Sequence, residues 1–259
     1  MTLTAPLSAP TARLERVEEL QARIQGMQST RLETRAVPTH PAFAGLLPSG
    51  SLREGTVVEA HGSTTLVMAL LAAPSASGRW VAVVGLPEFG VEAALRFGID
   101  LDRLVLVPEP GRQWLAVVAA LADVIPVVAV RPPARVAPTE ASRLAARLRE
   151  RGATLIAAGA WPGADASLDV EASEWHGLEL GHGLLDEREV VVSAAGRGGF
   201  AKRRRSRLRL PDRGLGFSEA RPGEARIGAD AHDTAGTGHP AVAAGGLAPV
   251  LRADFRRLA

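Results

Sequence analysis

The chain has 259 residues, 46% of them hydrophobic, and a formal net charge of +2 at neutral pH, enough for one principal domain with a sizeable core. It contains no cysteine, which excludes disulfides, thiol catalysis and thiolate-built zinc or iron–sulfur sites. No apolar run follows a basic N-terminal start and none approaches the ~18 residues of a membrane span, so the sequence predicts a soluble, cytoplasmic protein.

Residues 1–12 are rich in Ala, Pro, Ser and Thr and read as a loose arm. Leu14, Val17, Leu20, Ile24 and Met27 then recur at spacings of three and four, which predicts an amphipathic helix whose apolar stripe packs on its own domain or docks on a partner. A Pro- and Gly-containing connector follows at 37–48. Beyond it, short apolar strands are expected at 56–60, 80–85, 104–107, 126–130 and 154–158, alternating with helices at 64–73, 92–97, 113–123 and 138–151. That alternation predicts an α/β fold with a mainly parallel sheet covered on both faces by helices. After Trp161 the pattern changes to strands without helices, at 168–172, 189–194 and 207–210, expected as antiparallel additions. The last two would form a hairpin around the loop GRGGFAKRRRS. From residue 213 to about 246 low apolar content predicts disorder, and Leu251, Phe255 and Leu258 then restore a short amphipathic pattern. The expected division is thus arm and helix over 1–38, core with basic hairpin over 39–212, and tail over 213–259.

The run VEAHGSTTLVMALL (58–71) reads as strand, glycine turn and helix, the frame in which many proteins hold a nucleotide's phosphates. A working phosphate loop is GxxxxGK[ST], in which backbone N–H groups and a lysine hold phosphate and the hydroxyl holds magnesium. Here His61-Gly62-Ser63-Thr64-Thr65 keeps the first glycine and the hydroxyls but lacks the intervening turn, the second glycine and the lysine. Lys202, the single lysine of the chain, lies in the basic loop. Losing two or three charged hydrogen bonds of roughly 1.5–3 kcal/mol each weakens affinity by about two to six orders of magnitude. Hence no cofactor and no catalytic residue is assigned.

The stretch LLPSGSLREGTVVEAHGSTTLVMALL, continued by GRWVAVVGLPEFGVEAALRFGIDLDRLVLVPEPG, resembles the core of the RecA family over about residues 46–160. The run Gly98-Ile99-Asp100-Leu101-Asp102-Arg103-Leu104 carries the most specific match. The resemblance implies a RecA-like sheet with an ATPase site, and three positions depart from that site. The phosphate loop has lost its lysine, the register of the catalytic glutamate falls on Leu86 with Glu88 two places on, and the strand that should end in a magnesium-binding aspartate ends in Arg131. Without cradle, water activator or metal ligand, phosphoryl transfer has nothing to work with. Within the superfamily the whole chain resembles the actinobacterial ImuA family of RecA-like accessory proteins, on GLPEFGVEAALRFGIDLDRLVLVPEPG, VRPP (130–133), RLAARLRERGA (143–153), AWPGAD (160–165) and WHGLELGHG (175–183). That resemblance implies a non-enzymatic scaffold in damage-inducible, error-prone translesion DNA synthesis. Its implied partners are ImuB (an inactive Y-family polymerase homologue), an error-prone C-family DNA polymerase and RecA itself.

Arg197, Lys202, Arg203, Arg204, Arg205, Arg207 and Arg209 place seven positive charges in a short stretch. They suit sequence-blind phosphate binding or, equally, a solvated hairpin that keeps a sheet edge from aggregating. The six histidines show no metal-ligand spacing. A DNA-binding or RecA-filament-modulating protein is therefore an alternative to the scaffold. So is a cell-division inhibitor of the SulA type, which also resembles a RecA core without a phosphate loop.

Overall fold

The computed structural model describes residues 35–179, 182–196, 203–214 and 216–220. In chain order the elements are β1 (Ala36–Val37), β2 (Leu52–Arg53), β3 (Val57–His61), α1 (Thr64–Ala76), β4 (Val81–Val84), α2 (Val91–Arg96), β5 (Leu104–Val107), α3 (Trp114–Ala122), β6 (Val127–Val130), α4 (Pro138–Arg151) and β7 (Thr154–Ala157). They are followed by β8 (Ala166–Glu179), β9 (His182–Gly196), β10 (Arg204–Arg209) and β11 (Ser218–Glu219).

Apart from the short β1–β2 pair, the strands form one sheet in the order β11-β10-β9-β8-β3-β7-β6-β4-β5. Pairing is parallel from β8 through to β5 and antiparallel from β8 to β11. The central strands β4 (VAVV), β6 (VVAV) and β7 (TLIA) are buried along their whole length, as continuous β-branched runs must be when both faces are covered. One face carries α1, Ala94 of α2 and the segment with Phe43, Leu46 and Leu47. The other carries Val118 and Ala122 of α3 and Ala141, Leu144 and Leu148 of α4.

The helix boundaries follow local chemistry. Pro138 opens α4, the Glu140 carboxylate accepts from the Ala137 N–H at 3.2 Å, and Gly152 closes it at φ 69°. Those are the expected start and stop signals. Helix α1 (TTLVMALLAAPSA) has almost no polar face; it is sandwiched between the sheet and the Phe43 segment, so it is buried nearly all round.

Several expectations are corrected. Strand β8 pairs in parallel with β3 along one edge while it pairs antiparallel with β9 along the other, so the sheet's parallel part extends one strand further than the sequence suggested. Both β8 and β9 are far longer than the predicted 168–172 and 189–194. Arg204 and Arg205 belong to β10 rather than to a hairpin loop. The connector at 37–48 is structured, because Phe43, Leu46 and Leu47 are core residues. Within the stretch expected to be disordered, β11 closes the sheet edge, and Phe217 packs on His40, Phe43 and Phe97 with ring centroids 4.3, 6.0 and 5.6 Å apart. The predicted stripe of Leu14, Val17, Leu20, Ile24 and Met27 lies outside the described residues, as do Arg197, Lys202, Leu251, Phe255 and Leu258. Among the described residues no helix is long and apolar enough to cross a membrane.

Candidate functional site

From β4 the chain passes through α2 to β5 on one side of β4, then returns through α3 to β6 on its other side. The reversal opens a crevice at the carboxyl ends of β4 and β6, the place where open α/β sheets bind ligands. Its floor is tight. The Gly85 N–H donates to the Val107 carbonyl and the Arg131 N–H to the Val84 carbonyl, both at 2.9 Å. A Cβ on Gly85 would lie 2.5 Å from the Arg131 carbonyl oxygen.

Three side chains meet above this floor. The Arg131 Nη1 donates to Glu88 Oε1, and the Thr64 hydroxyl, in the first turn of α1, reaches the same oxygen at 3.4 Å. Partial burial pushes the Glu88 carboxyl up. Hydrogen bonds from its own N–H, from Arg131 and from Thr64, with the Arg131 charge, outweigh that and hold it below the ordinary carboxylate range. Leu86, in the register of a glutamate, is only 2% exposed and belongs to the core. Glu88, two residues on, is the carboxylate that faces the crevice.

The loop between β3 and α1 is closed by its own side chains. Gly62 turns the chain at φ 77°, and Ser63 caps α1 by accepting from the Leu66 N–H at 3.3 Å. The Ser63 and Thr65 hydroxyls bond each other at 2.7 Å. Arg188, from β9, donates to Ser63 and Thr65 at 3.3 and 3.4 Å and to Ser173 at 2.7 Å, with its guanidinium 5.8 Å from the Trp175 ring centroid. Burial lowers the pKa of the Arg188 guanidinium. Sequence reasoning missed Arg188 altogether. It lies 125 residues from Ser63 in a strand whose pattern gave no reason to single out one arginine.

On the opposite sheet face, Glu59 and His61 of β3 form a second polar group, also unforeseen. Glu59 Oε2 lies 3.3 Å from His61 Nε2, and the Trp161 N–H donates to Glu59 Oε1. Burial pushes the Glu59 carboxyl up, but the bonds from His61, Trp161 and Ser167 hold it below its ordinary range. The hydrogen bond to Glu59 raises the His61 pKa, against burial and with help from the charges of Asp169 and Glu59. Among the described residues, no group of three or more His, Asp or Glu is arranged to hold a metal ion.

The arginines of the basic stretch are brought together, but each described one has a partner. Arg203 and Arg205 both reach Glu171, at 3.1 and 2.8 Å; Arg207 reaches Glu189 at 3.0 Å and Arg209 reaches Glu187 at 3.2 Å. Arg204, on the opposite face of β10, donates to the Gly45 carbonyl at 3.4 Å. The strand is a ladder of cross-strand ion pairs, with the glutamates supplied by β8 and β9.

The sheet order and the strand–glycine–helix turn define an α/β fold of the KaiC/RecA-like kind. The KaiC-like protein PH0186 of Pyrococcus horikoshii OT3 aligns over 73% of this chain and 100% of its own, with a TM-score of 0.50 and 15% identity, a likeness of fold. Residues 45–163 match the family model described as the MT3502 N-terminal domain. The uncharacterized protein Rv3395c of Mycobacterium tuberculosis is 32% identical over 168 residues, covering 62% of this chain and 82% of that protein. The chain belongs to the family of Rv3395c.

Proposed function

We propose that this chain is a non-enzymatic RecA-fold scaffold of the ImuA type, acting in a damage-inducible translesion synthesis complex. Its direct partner in this reading is ImuB, the inactive Y-family polymerase homologue, which connects it to an error-prone C-family polymerase. The observation that carries the non-enzymatic part is the contact of Glu88, Arg131 and Thr64. A site that turns over ATP needs a carboxylate free to orient water, a second to hold magnesium, and open N–H groups for phosphate. Here one carboxylate is tied to an arginine on the strand that should supply the other, and Ser63 occupies an N–H of the helix start. The RecA-like fold and the resemblance of the segments quoted above support the partner assignment.

The DNA-binding alternative is the less favoured, because each described arginine of the basic strand already holds a carboxylate or a carbonyl. Titration calorimetry of the full chain with ATP and magnesium at millimolar concentration should give no saturable heat, and co-expression with ImuB should yield a complex that survives gel filtration. Saturable nucleotide binding overturns the first half of the proposal, and separate elution of the two proteins overturns the second.

A further inference from the structure

Helix α3 (WLAVVAALA) contains no polar residue. A helix that is apolar all round belongs in an interior, and α1, almost as apolar, has nine of its thirteen residues buried. In α3 only Val118 and Ala122 are buried, against the sheet. Its other seven side chains are half-buried or exposed, so most of its surface has no cover among the described residues. The outer surface of α4 shows the usual solution, with Arg143, Arg147 and Glu150 facing water.

The ion pairs show which flank is open. Asp123, at the end of α3, binds Arg147 and Arg151 of α4, so that flank faces α4, which joins β6 to β7 in the middle of the sheet. At 3.6 residues per turn, Val117, Leu121 and Val124 turn to the opposite flank, over the edge strand β5, whose Val105 and Val107 pack on the same cluster. Val124 continues the last turn, its N–H donating to the Leu121 carbonyl at 3.1 Å, and is 78% exposed. The strand beneath also has backbone to offer. The Val107 carbonyl accepts from Gly85, so Val105 and Val107 turn their backbone groups to β4, while Leu104 and Leu106 turn theirs outward. On the other sheet face α2, which joins β4 to β5, exposes Val91 and Leu95.

We infer that a second copy of this chain occupies this edge, in a closed two-fold dimer that pairs β5 with β5 and packs α3 on α3 through Val117, Leu121 and Val124. The surface is self-complementary, as a two-fold contact requires. Pairing Leu104 with Leu106 of the second copy, in both directions, makes four N–H···O bonds about an axis at Val105. That register draws nothing from Pro108, which has no N–H to give. On antiparallel helices the spacing i, i+4, i+7 sets Val117 against Val124 and Leu121 against Leu121. Charge selects the same occupant. Neither α3 nor β5 carries a charged residue, so the surface meets its own copy without like-charge repulsion and gives phosphate or a charged peptide nothing to hold. At the rim Glu92 is paired with Arg96 at 2.7 Å and Asp100 with Arg103 at 2.8 Å, so closure buries no lone charge from these groups.

Sedimentation equilibrium of the full chain should give a mass that climbs with concentration and levels at twice 27.1 kDa. Val124→Glu places a charge at a side chain that is already exposed, so the fold tolerates it. That variant should keep the monomer mass, with the thermal midpoint of the parent chain diluted to monomer. Leu121→Cys, in a chain with no other cysteine, should oxidise to a covalent dimer because the axis brings the residue against itself; Arg143→Cys on α4 should not. A mass that climbs past two copies means head-to-tail assembly and overturns the proposal. So does a monomer at every concentration, a dimer indifferent to Val124→Glu, or a dimer that Leu121→Cys fails to crosslink. A lower thermal midpoint for Val124→Glu at unchanged mass overturns it too, because another part of the same chain would then cover α3.

Discussion

Gly85 and Gly98 both hold positive φ, 73° and 84°, for different reasons. Gly98 turns the chain into Ile99 with nothing within 4 Å of where a Cβ would stand, so Gly98→Ala meets only the left-handed backbone cost of about 1–2 kcal/mol. At Gly85 the added carbon also lies 2.5 Å from the Arg131 carbonyl, so Gly85→Ala should cost roughly 3–4 kcal/mol. Urea unfolding of the two variants checks the difference, and equal losses would mean that β4 and β6 do not close together at the crevice floor. The residues around that floor were partly legible beforehand. Gly62, Thr64, Leu86, Glu88 and Arg131 stood out in the sequence because each sits at a register where a phosphate loop, a glutamate or an aspartate is expected. Their mutual contact did not, since Glu88 and Arg131 are 43 residues apart and meet only when β4 and β6 become neighbours.

At the scale of elements, legibility followed burial. Strands β4, β6 and β7 differ from expectation by only a residue or two at their ends, because burial on both faces imposes continuous apolar runs. Helix α4 has the expected bounds because Pro138 and Gly152 mark its ends, and the apolar run of β5 also falls where expected. The ribbon of β8 and β9 has no such constraint. Trp175, Leu184 and Leu185 are exposed there, the sequence is rich in glycine, and the pairing shifts register between His176 and Leu178, so alternation fades where the pairing continues. Strand β11 is two residues long and is held by Phe217 packing on His40, Phe43 and Phe97, a tertiary cause invisible in local sequence. In β10 the same arginine run that suggested phosphate binding is explained by the glutamates opposite. Glu171 serves two guanidinia, those of Arg203 and Arg205. Glu171→Gln should therefore lower the thermal midpoint slightly in dilute buffer, and about 1 M salt should abolish the difference, since these arginines are exposed and screened. A deficit that persists unchanged in high salt would show that packing of the side chain, not charge, holds the ladder.

For the whole molecule the decisive feature is the asymmetry of the sheet's two edges. At one end β11 is two residues long and ends the sheet with little backbone to offer. At the other, β5 (LVLV) pairs only with β4 among the described residues and presents four residues of edge. Leu106 is 37% exposed there, and Leu95 of α2, Leu101 just before β5 and Trp80 just before β4 are further exposed apolar side chains. Proteins guard such edges with lysine, proline or inward-pointing charge, and β5 has none of these in its four residues. An edge of this kind, with side chains on both faces only partly covered, favours pairing with another strand over solvation of its N–H and C=O groups. Static light scattering of the full chain should therefore show a mass that rises above the 27.1 kDa monomer as concentration increases. Leu106→Lys places a charge on the edge without touching the residues that face α3, Val105 and Val107, and should return the mass to that of the monomer with thermal stability little changed. If both chains scatter alike at every concentration, β5 is not the surface through which this protein associates. Any self-association of this chain would then have to run through elements other than its open sheet edge.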